Sequence, residues 1–348
     1  MGADGRRHHR DSRRYGRAVT TGNTSAVLAS VLEAGGPELS RNLMRTEARL
    51  QGVAESHGDE LASHAAGTLS AGGKRLRPML VFLCAGDRDG DVVVSAAAAV
   101  ELLHMATLVH DDVLDRASLR RGRPTVFADG GRAAATATGD LLFSRAFSEI
   151  AAEGGREGVA ALSRASSSLA RGELMQRADA WAEKVSRERY LERCELKTAR
   201  LFEAACRLGA LLGSPGPACA DALGQFGTWI GLAFQIFDDV LDVSGPTERT
   251  GKPRGTDLLD GTVTLPLIIA RERDGDLRKL DLRECVTSAE QADAFCDRIA
   301  MTGALGEARE QALHFVAEAK AALYDLPLSE RQQKALDLVA DGVVERYA

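Results

Sequence analysis

Two short acidic clusters, Asp111-Asp112-Val113-Leu114-Asp115 and Asp238-Asp239-Val240-Leu241-Asp242, carry the residue types best suited to chemistry in this chain. Each closes a long apolar stretch of helical composition, in the contexts LVHDDVLD and FQIFDDVLD. Carboxylates at i, i+1 and i+4 place like charges on adjoining helix positions, at a cost of about 0.2–0.5 kcal/mol per pair unless a cation compensates. Hard oxygen donors suit Mg²⁺, which takes a few carboxylates and completes its shell with water and substrate phosphate oxygens. A single cluster could be a solvated acidic helix end. Two identical clusters, each flanked by Val and Leu, imply a divalent-metal site built to grip a diphosphate. Neither has the Asp-x-Asp-x-Asp-Gly loop of an EF-hand.

Cations matched to an anionic substrate lie nearby in sequence. In Gly72-Gly73-Lys74-Arg75-Leu76-Arg77-Pro78, helix N–H groups and three basic side chains are expected to converge on an anion, with Pro78 at about the first helical position. Arg120-Arg121-Gly122-Arg123 follows the first cluster by one turn of loop.

These groups need helices to hold them. Ala, Leu, Arg and Glu dominate from about Ser25 onward, aromatics are 5%, and no stretch alternates long enough for a confident strand. The pattern predicts helices near 26–34, 39–70, 78–86, 92–116, 132–152, 157–180, 187–213, 217–243, 263–273, 287–301, 304–324 and 329–346, broken at Gly and Pro clusters. In one acidic helix His104, Thr107, Asp111 and Asp115 share a side. In the other, Leu223, Phe226, Ile230, Phe234, Phe237 and Leu241 form a packed face, while Gln235, Asp238, Asp239 and Asp242 cluster on another, with the small Thr228 and Gly231 a turn or two earlier. Side by side, two such helices would enclose a deep cavity with carboxylates at its mouth. The expected fold class is all-α: one domain over 25–348 behind a basic, disordered tail at 1–24, with no interdomain linker.

Composition bounds the rest. The 348 residues are 45% hydrophobic and 27% charged with net charge −6, which argues against a nucleic-acid partner. No apolar run is seen to reach the roughly 18–20 uncharged residues of a membrane span, so a soluble protein is expected. The basic tail MGADGRRHHRDSRRYGR lacks the apolar core of a signal peptide. Weak attachment to an anionic surface and an organellar transit role are the alternatives to a solvated tail. Cys84, Cys194, Cys206, Cys219, Cys285 and Cys296 form no CxxC pair and read as reduced residues of a cytoplasmic protein.

GGKRLRP, ELLHMATLVHDDVLDRASLRRGRPT, Gly139-Asp140, GELMQ from Gly172, ELKTA from Glu195 and GLAFQIFDDVLD, in this order over about residues 60–270, resemble the trans-isoprenyl diphosphate synthases, or polyprenyl synthetases. The resemblance implies a bundle of antiparallel helices around an apolar cavity, usually homodimeric. It implies that Asp111, Asp112, Asp115, Asp238 and Asp242, with Asp239 assisting, bind three Mg²⁺ ions that clamp an allylic diphosphate, which Arg120 also holds. It further implies that Lys74, Arg77, His104 and Arg121 hold isopentenyl diphosphate. Lys197, Thr198 and Gln235 would sit at the leaving group and developing cation, and Lys252 would close over the diphosphate. One departure stands out: Gly255-Thr256-Asp257-Leu258-Leu259-Asp260-Gly261-Thr262 matches the family's GxDxxxGK segment except that Thr262 replaces the lysine. A diphosphate contact is therefore missing or supplied elsewhere.

Family members with short products carry Phe or Tyr four or five residues before the first aspartate, where this chain has Thr107 and Ala106. Leu103, Val100 and Ala99 follow farther back, none aromatic. One helical turn rises about 5.4 Å, comparable to an isoprene unit, which predicts a product of roughly C30–C50. A geranylgeranyl or farnesyl diphosphate synthase is the alternative, as is a binding subunit of a two-component synthase, although such subunits lose the aspartates kept here. A class I terpene cyclase would carry a different second metal motif. Transient membrane contact for product release is a further expectation.

Overall fold

Glycine and proline set the breaks in this chain, and the computed structural model shows what they connect. It describes residues 22–56, 64, 75–88, 90–120, 122–245 and 253–345. Helix α1 spans Gly22–Glu55 and kinks at Gly36 (φ 73°), next to Pro37, where a break was expected. It starts inside the segment expected to be tail: Gly22 to Thr24 are helical. The predicted continuation of this helix toward residue 70 falls mostly outside the described residues.

α2 is Leu76–Ala85, α3 Asp91–Asp115, α4 Val126–Glu153 and α5 Gly155–Asp179. α4 begins six residues earlier than expected, because the Thr125 hydroxyl caps its first turn by accepting from Ala128 N, and a kink at Gly131 (φ 75°) absorbs the change of direction. α6 is Arg187–Cys194, capped by Ser186; a π-helical turn over Glu195–Ala199 follows, and α7 continues through Arg200–Leu212. α8 is Pro217–Ser244. Then come the short α9 (Thr256–Leu259), α10 (Leu265–Arg273), α11 (Gly275–Lys279) and α12 (Leu282–Cys285). α13 (Ala289–Met301), α14 (Ala304–Ala321) and α15 (Glu330–Glu345) complete the chain. The β structure among the described residues is a two-residue antiparallel hairpin, β1 (Leu119–Arg120) with β2 (Arg123–Pro124), which folds the loop after the first cluster back on itself. The all-α expectation holds.

The expected apolar face of α8 is real. Leu223, Phe226, Ile230 and Phe237 are buried, with Phe234 and Leu241 half-buried beside them. Each such side chain removed from water is worth about 1.5–3 kcal/mol. Trp229 stacks on Phe315 of α14 at 5.3 Å between ring centroids. The two acidic helices are held differently from the side-by-side arrangement expected: each packs on α7, and α3 packs most extensively on α4. Gly227 of α8 permits the close approach to α7, where a Cβ would lie 2.6 Å from the Phe202 carbonyl oxygen.

By length and composition α3 does qualify as a membrane-spanning helix, with mean hydropathy 2.0 over its best window, contrary to the reading from charge alone. Its apolar residues are core: 78% of that window is buried inside the protein. Five cysteines are buried and Cys285 is half-buried; all six are free thiols.

Candidate active site

The π turn at Glu195–Ala199 is the pivot of the site. It is wedged between two glycines: a Cβ on Gly172 of α5 would lie 2.6 Å from Lys197 N, and one on Gly231 of α8 would lie 2.5 Å from Ala199 Cα. π turns commonly mark functional positions because the extra residue re-aims side chains. Here it sends Lys197 toward α5, where Nζ donates to a carboxylate oxygen of Glu173, and Thr198 toward α8, where Oγ1 donates to Gln235 Oε1 at 2.6 Å. Because any side chain at 172 must push the Lys197 backbone away, Gly172→Ala will lower turnover at this site about tenfold or more while costing roughly 1–3 kcal/mol of stability. A variant with wild-type rates would show that the close approach is not needed to place Lys197.

The second cluster divides between surface and interior. Asp238 is exposed. Asp239 is 4% exposed, accepting from the Tyr190 hydroxyl at 2.6 Å and from Gln235 Nε2 at 2.8 Å. Burial pushes the Asp239 carboxyl up to about 7, reinforced by Asp238 and opposed by its Tyr190 and Gln235 bonds and by Arg193. Asp242 accepts from Asp257 N at 3.2 Å, tying the cluster to the first turn of α9. An ordered chain thus runs from Thr198 through Gln235 to Asp239 and Tyr190.

In the first cluster, Asp111 is half-buried and pushed up to about 6 by burial, with Glu173 and Asp115 adding repulsion and Lys197 and Arg120 opposing it. Asp112 is 5% exposed and paired with Arg120, Nε to Oδ1 at 2.8 Å. Asp115 is exposed and accepts from Arg177 Nη2 at 2.7 Å. Glu173 holds the mouth together, bonded to both Lys197 and Arg177. Burial would raise its carboxyl, but those two cations bring it below the ordinary value.

A cavity of about 150 Å³ lies between these elements, lined by Lys197, Thr198, Gln235, Asp239, Asp257 and Thr262 among others. Among the described residues no three carboxylates, imidazoles or thiols already converge tightly enough to hold a metal alone. The all-oxygen donor set of the two clusters and the crowded negative charge around Asp111 fit a hard cation such as Mg²⁺, which binds proteins through few carboxylates and takes its other ligands from phosphate.

Other expected residues divide three ways. His104 and Thr107 lie half-buried on the Asp111 side of α3, as their spacing requires, with Thr107 Oγ1 donating to His104 O at 2.7 Å. Leu103 and Ala106 are fully buried. Arg77 is half-buried, its guanidinium 4.4 Å above the Phe202 ring. Lys74, Arg121 and Lys252 lie outside the described residues.

The basic loop corrects one expectation. Arg75 does not turn toward a shared anion: it points inward, 8% exposed, and pairs with Glu47 of α1 and with Glu101 of α3, the latter at 2.7 Å. A guanidinium buried in the protein is tolerable only when matched by carboxylates in this way. Pro78 is the third residue of α2, not the first. Glu173, Tyr190 and Arg193 were not foreseen. The signal was present: Tyr190, Arg193 and Lys197 recur at three- and four-residue steps along one helical stripe.

Comparison with known proteins settles what this constellation belongs to. Residues 59–300 match the family description "Polyprenyl synthetase". The chain belongs to the polyprenyl synthetase family. It is 43% identical over 235 residues to heptaprenyl diphosphate synthase component 2 of Geobacillus stearothermophilus, covering 67% of this chain and 73% of that one. Identity to the geranylgeranyl diphosphate synthase of Methanosarcina mazei is 37% over 287 residues, covering 80% and 87%. The crystal structure of a Caulobacter crescentus polyprenyl synthase complexed with calcium and isoprenyl diphosphate superposes with TM-score 0.84 at 34% identity, over 89% of this chain and 98% of that one. This family member is a prenyltransferase with the all-α fold of its relatives.

Proposed function

We propose that the chain condenses isopentenyl diphosphate head-to-tail with an allylic diphosphate, giving a trans-polyprenyl diphosphate of medium or long chain, roughly C30–C50 by the turn-counting argument. The observation that carries this reading is the pair of complete aspartate clusters joined through Lys197: the second lines a polar cavity with Lys197, Thr198 and Gln235 through Asp239, and the first is tied to Lys197 through Asp115, Arg177 and Glu173. Asp111, Asp112, Asp115, Asp238 and Asp242 would hold Mg²⁺, three ions with substrate bound, and Asp239 orients the second cluster through its buried bonds. The bound metal would neutralise charge on the departing diphosphate. The calcium and isoprenyl diphosphate bound to the Caulobacter relative support that assignment.

Arg120 and Lys252 hold the allylic diphosphate, and Lys197 supplies positive charge where the oxygen leaves. Cleavage of the allylic C–O bond leaves a cation, which the Thr198 hydroxyl and the Gln235 amide line without attacking. Lys74, Arg77, His104 and Arg121 hold isopentenyl diphosphate so that its double bond attacks that cation in line. A new C–C bond forms, and loss of a proton to the released diphosphate restores the double bond. The apolar cavity that the family resemblance implies would keep water from the cation.

The chain is read as the catalytic subunit, homodimeric and cytoplasmic, with brief membrane contact for product release. Its kinship to a protein named as a synthase component makes one experiment decisive. The purified protein alone, given Mg²⁺, labelled isopentenyl diphosphate and farnesyl diphosphate, will incorporate label, and chelation of the metal will abolish incorporation while leaving helical circular dichroism intact. Incorporation that appears only with a second polypeptide would overturn the self-sufficient reading.

A further inference from the structure

Thr262 leaves the cavity without the lysine that the family pattern carries at that position, and the structure shows another cation beside it. Arg193 of α6 is 3% exposed and lines the same cavity as Lys197 and Thr262. Its Nη2 donates to the carbonyl of Val263, the residue after Thr262, at 2.5 Å. The guanidinium lies 5.4 Å from the centroid of the Tyr190 ring, whose hydroxyl holds Asp239.

The charge of Arg193 is poorly spent within the protein. Nη1 is buried without a hydrogen bond, and its nearest carboxylate, Asp179 Oδ2, is 3.7 Å away and equally unbonded. The other Asp179 oxygen accepts from Arg189. Lys197, by contrast, is hydrogen-bonded to Glu173. A buried guanidinium whose hydrogen bond goes to a neutral carbonyl, with its nearest carboxylate in ionic range but unbonded, has its desolvation cost only partly compensated, and an anion placed beside it in low dielectric recovers more of it.

We propose that Arg193 supplies the positive charge absent at Thr262, acting as a binding residue for the diphosphate of the allylic substrate and of the released product. This rests on the reading of the cavity as the diphosphate site. Arg193 approaches from α6 instead of from the loop before α10, and its tie to the Val263 carbonyl fixes the guanidinium where a longer side chain at 262 would otherwise place its charge.

The test uses the full chain with Mg²⁺, reading inorganic diphosphate binding by calorimetry and the KM values of both substrates. Arg193→Met will weaken diphosphate binding and raise the KM of farnesyl diphosphate about tenfold, with the KM of isopentenyl diphosphate changed less than about twofold. Adding Thr262→Lys to Arg193→Met will return diphosphate affinity to within about threefold of the original. Unchanged affinity in the single variant, equal rises in both KM values, or a folded double variant as weak as the single one would each overturn the assignment. Should Arg193→Met not fold, Arg193→Lys keeps the charge and is expected to bind diphosphate within about threefold of wild type; a loss of about tenfold there would also overturn it. A wild-type chain that binds diphosphate through Arg193 but elongates nothing would refute the synthase reading alone. One that binds no diphosphate would refute both.

Discussion

Asp238→Ala will lower turnover by about a thousandfold or more, the equivalent of ~4 kcal/mol of lost transition-state stabilisation, while the protein stays folded. The asymmetry follows from exposure. Asp238 is at the surface of α8, so its removal leaves the core untouched and relieves repulsion on Asp239. Its neighbour is a poorer test. Asp239 is bonded to Tyr190 and Gln235, and Asp239→Ala would strand a buried hydroxyl and a half-buried amide, mixing a fold defect of about 1–3 kcal/mol for the hydroxyl into the activity loss. Steady-state rates with farnesyl diphosphate, alongside thermal melting, check the claim. An Asp238→Ala enzyme within tenfold of wild type would remove the second cluster from the metal site.

Thr107→Phe will cut the product from C30 or longer to about C15–C20, because an aromatic one turn of about 5.4 Å behind Asp111 closes the path of the growing chain. Ala106→Phe tests the same floor less cleanly. Ala106 is fully buried, so a ring there must be accommodated by the surrounding core at about 1–3 kcal/mol. Thr107 is half-buried, and among the described residues its hydroxyl bonds back to the His104 carbonyl of its own helix, so its replacement strands no described partner on another element. Chain-length analysis of the two variants beside their melting temperatures separates a floor from a packing defect. If Thr107→Phe makes the wild-type product, the limit to growth lies on another helix.

Much of this arrangement was legible in the sequence because it rests on helical periodicity. The stripe from Leu223 to Leu241 and the side shared by His104, Thr107, Asp111 and Asp115 follow from 3.6 residues per turn, and the structure keeps both. What the sequence hid depends on contacts far along the chain. Arg75 was grouped with Lys74 and Arg77 because the three are neighbours, whereas its carboxylate partners are 28 and 26 residues away. Tyr190 bonds to Asp239 across 49 residues. The π turn shows no local signature, and the residues that make room for it, Gly172 and Gly231, lie on other helices. α11 and α12 are too short to show a period, although their caps are in the sequence. The Asp274 carboxylate accepts from Asp276 N and Leu277 N, and that of Asp281 accepts from Arg283 N.

The measurement closest to the central claim is product length. Purified protein with Mg²⁺ and labelled isopentenyl diphosphate, primed in turn with dimethylallyl, geranyl, farnesyl and geranylgeranyl diphosphate, yields products to be resolved by chain length. Polyprenyl diphosphates of C30 or longer are the predicted result. A product that stops at C15 or C20 would contradict the open path behind Thr107 while leaving the chemistry in place, and no elongation from any primer would contradict the assignment of a self-sufficient synthase.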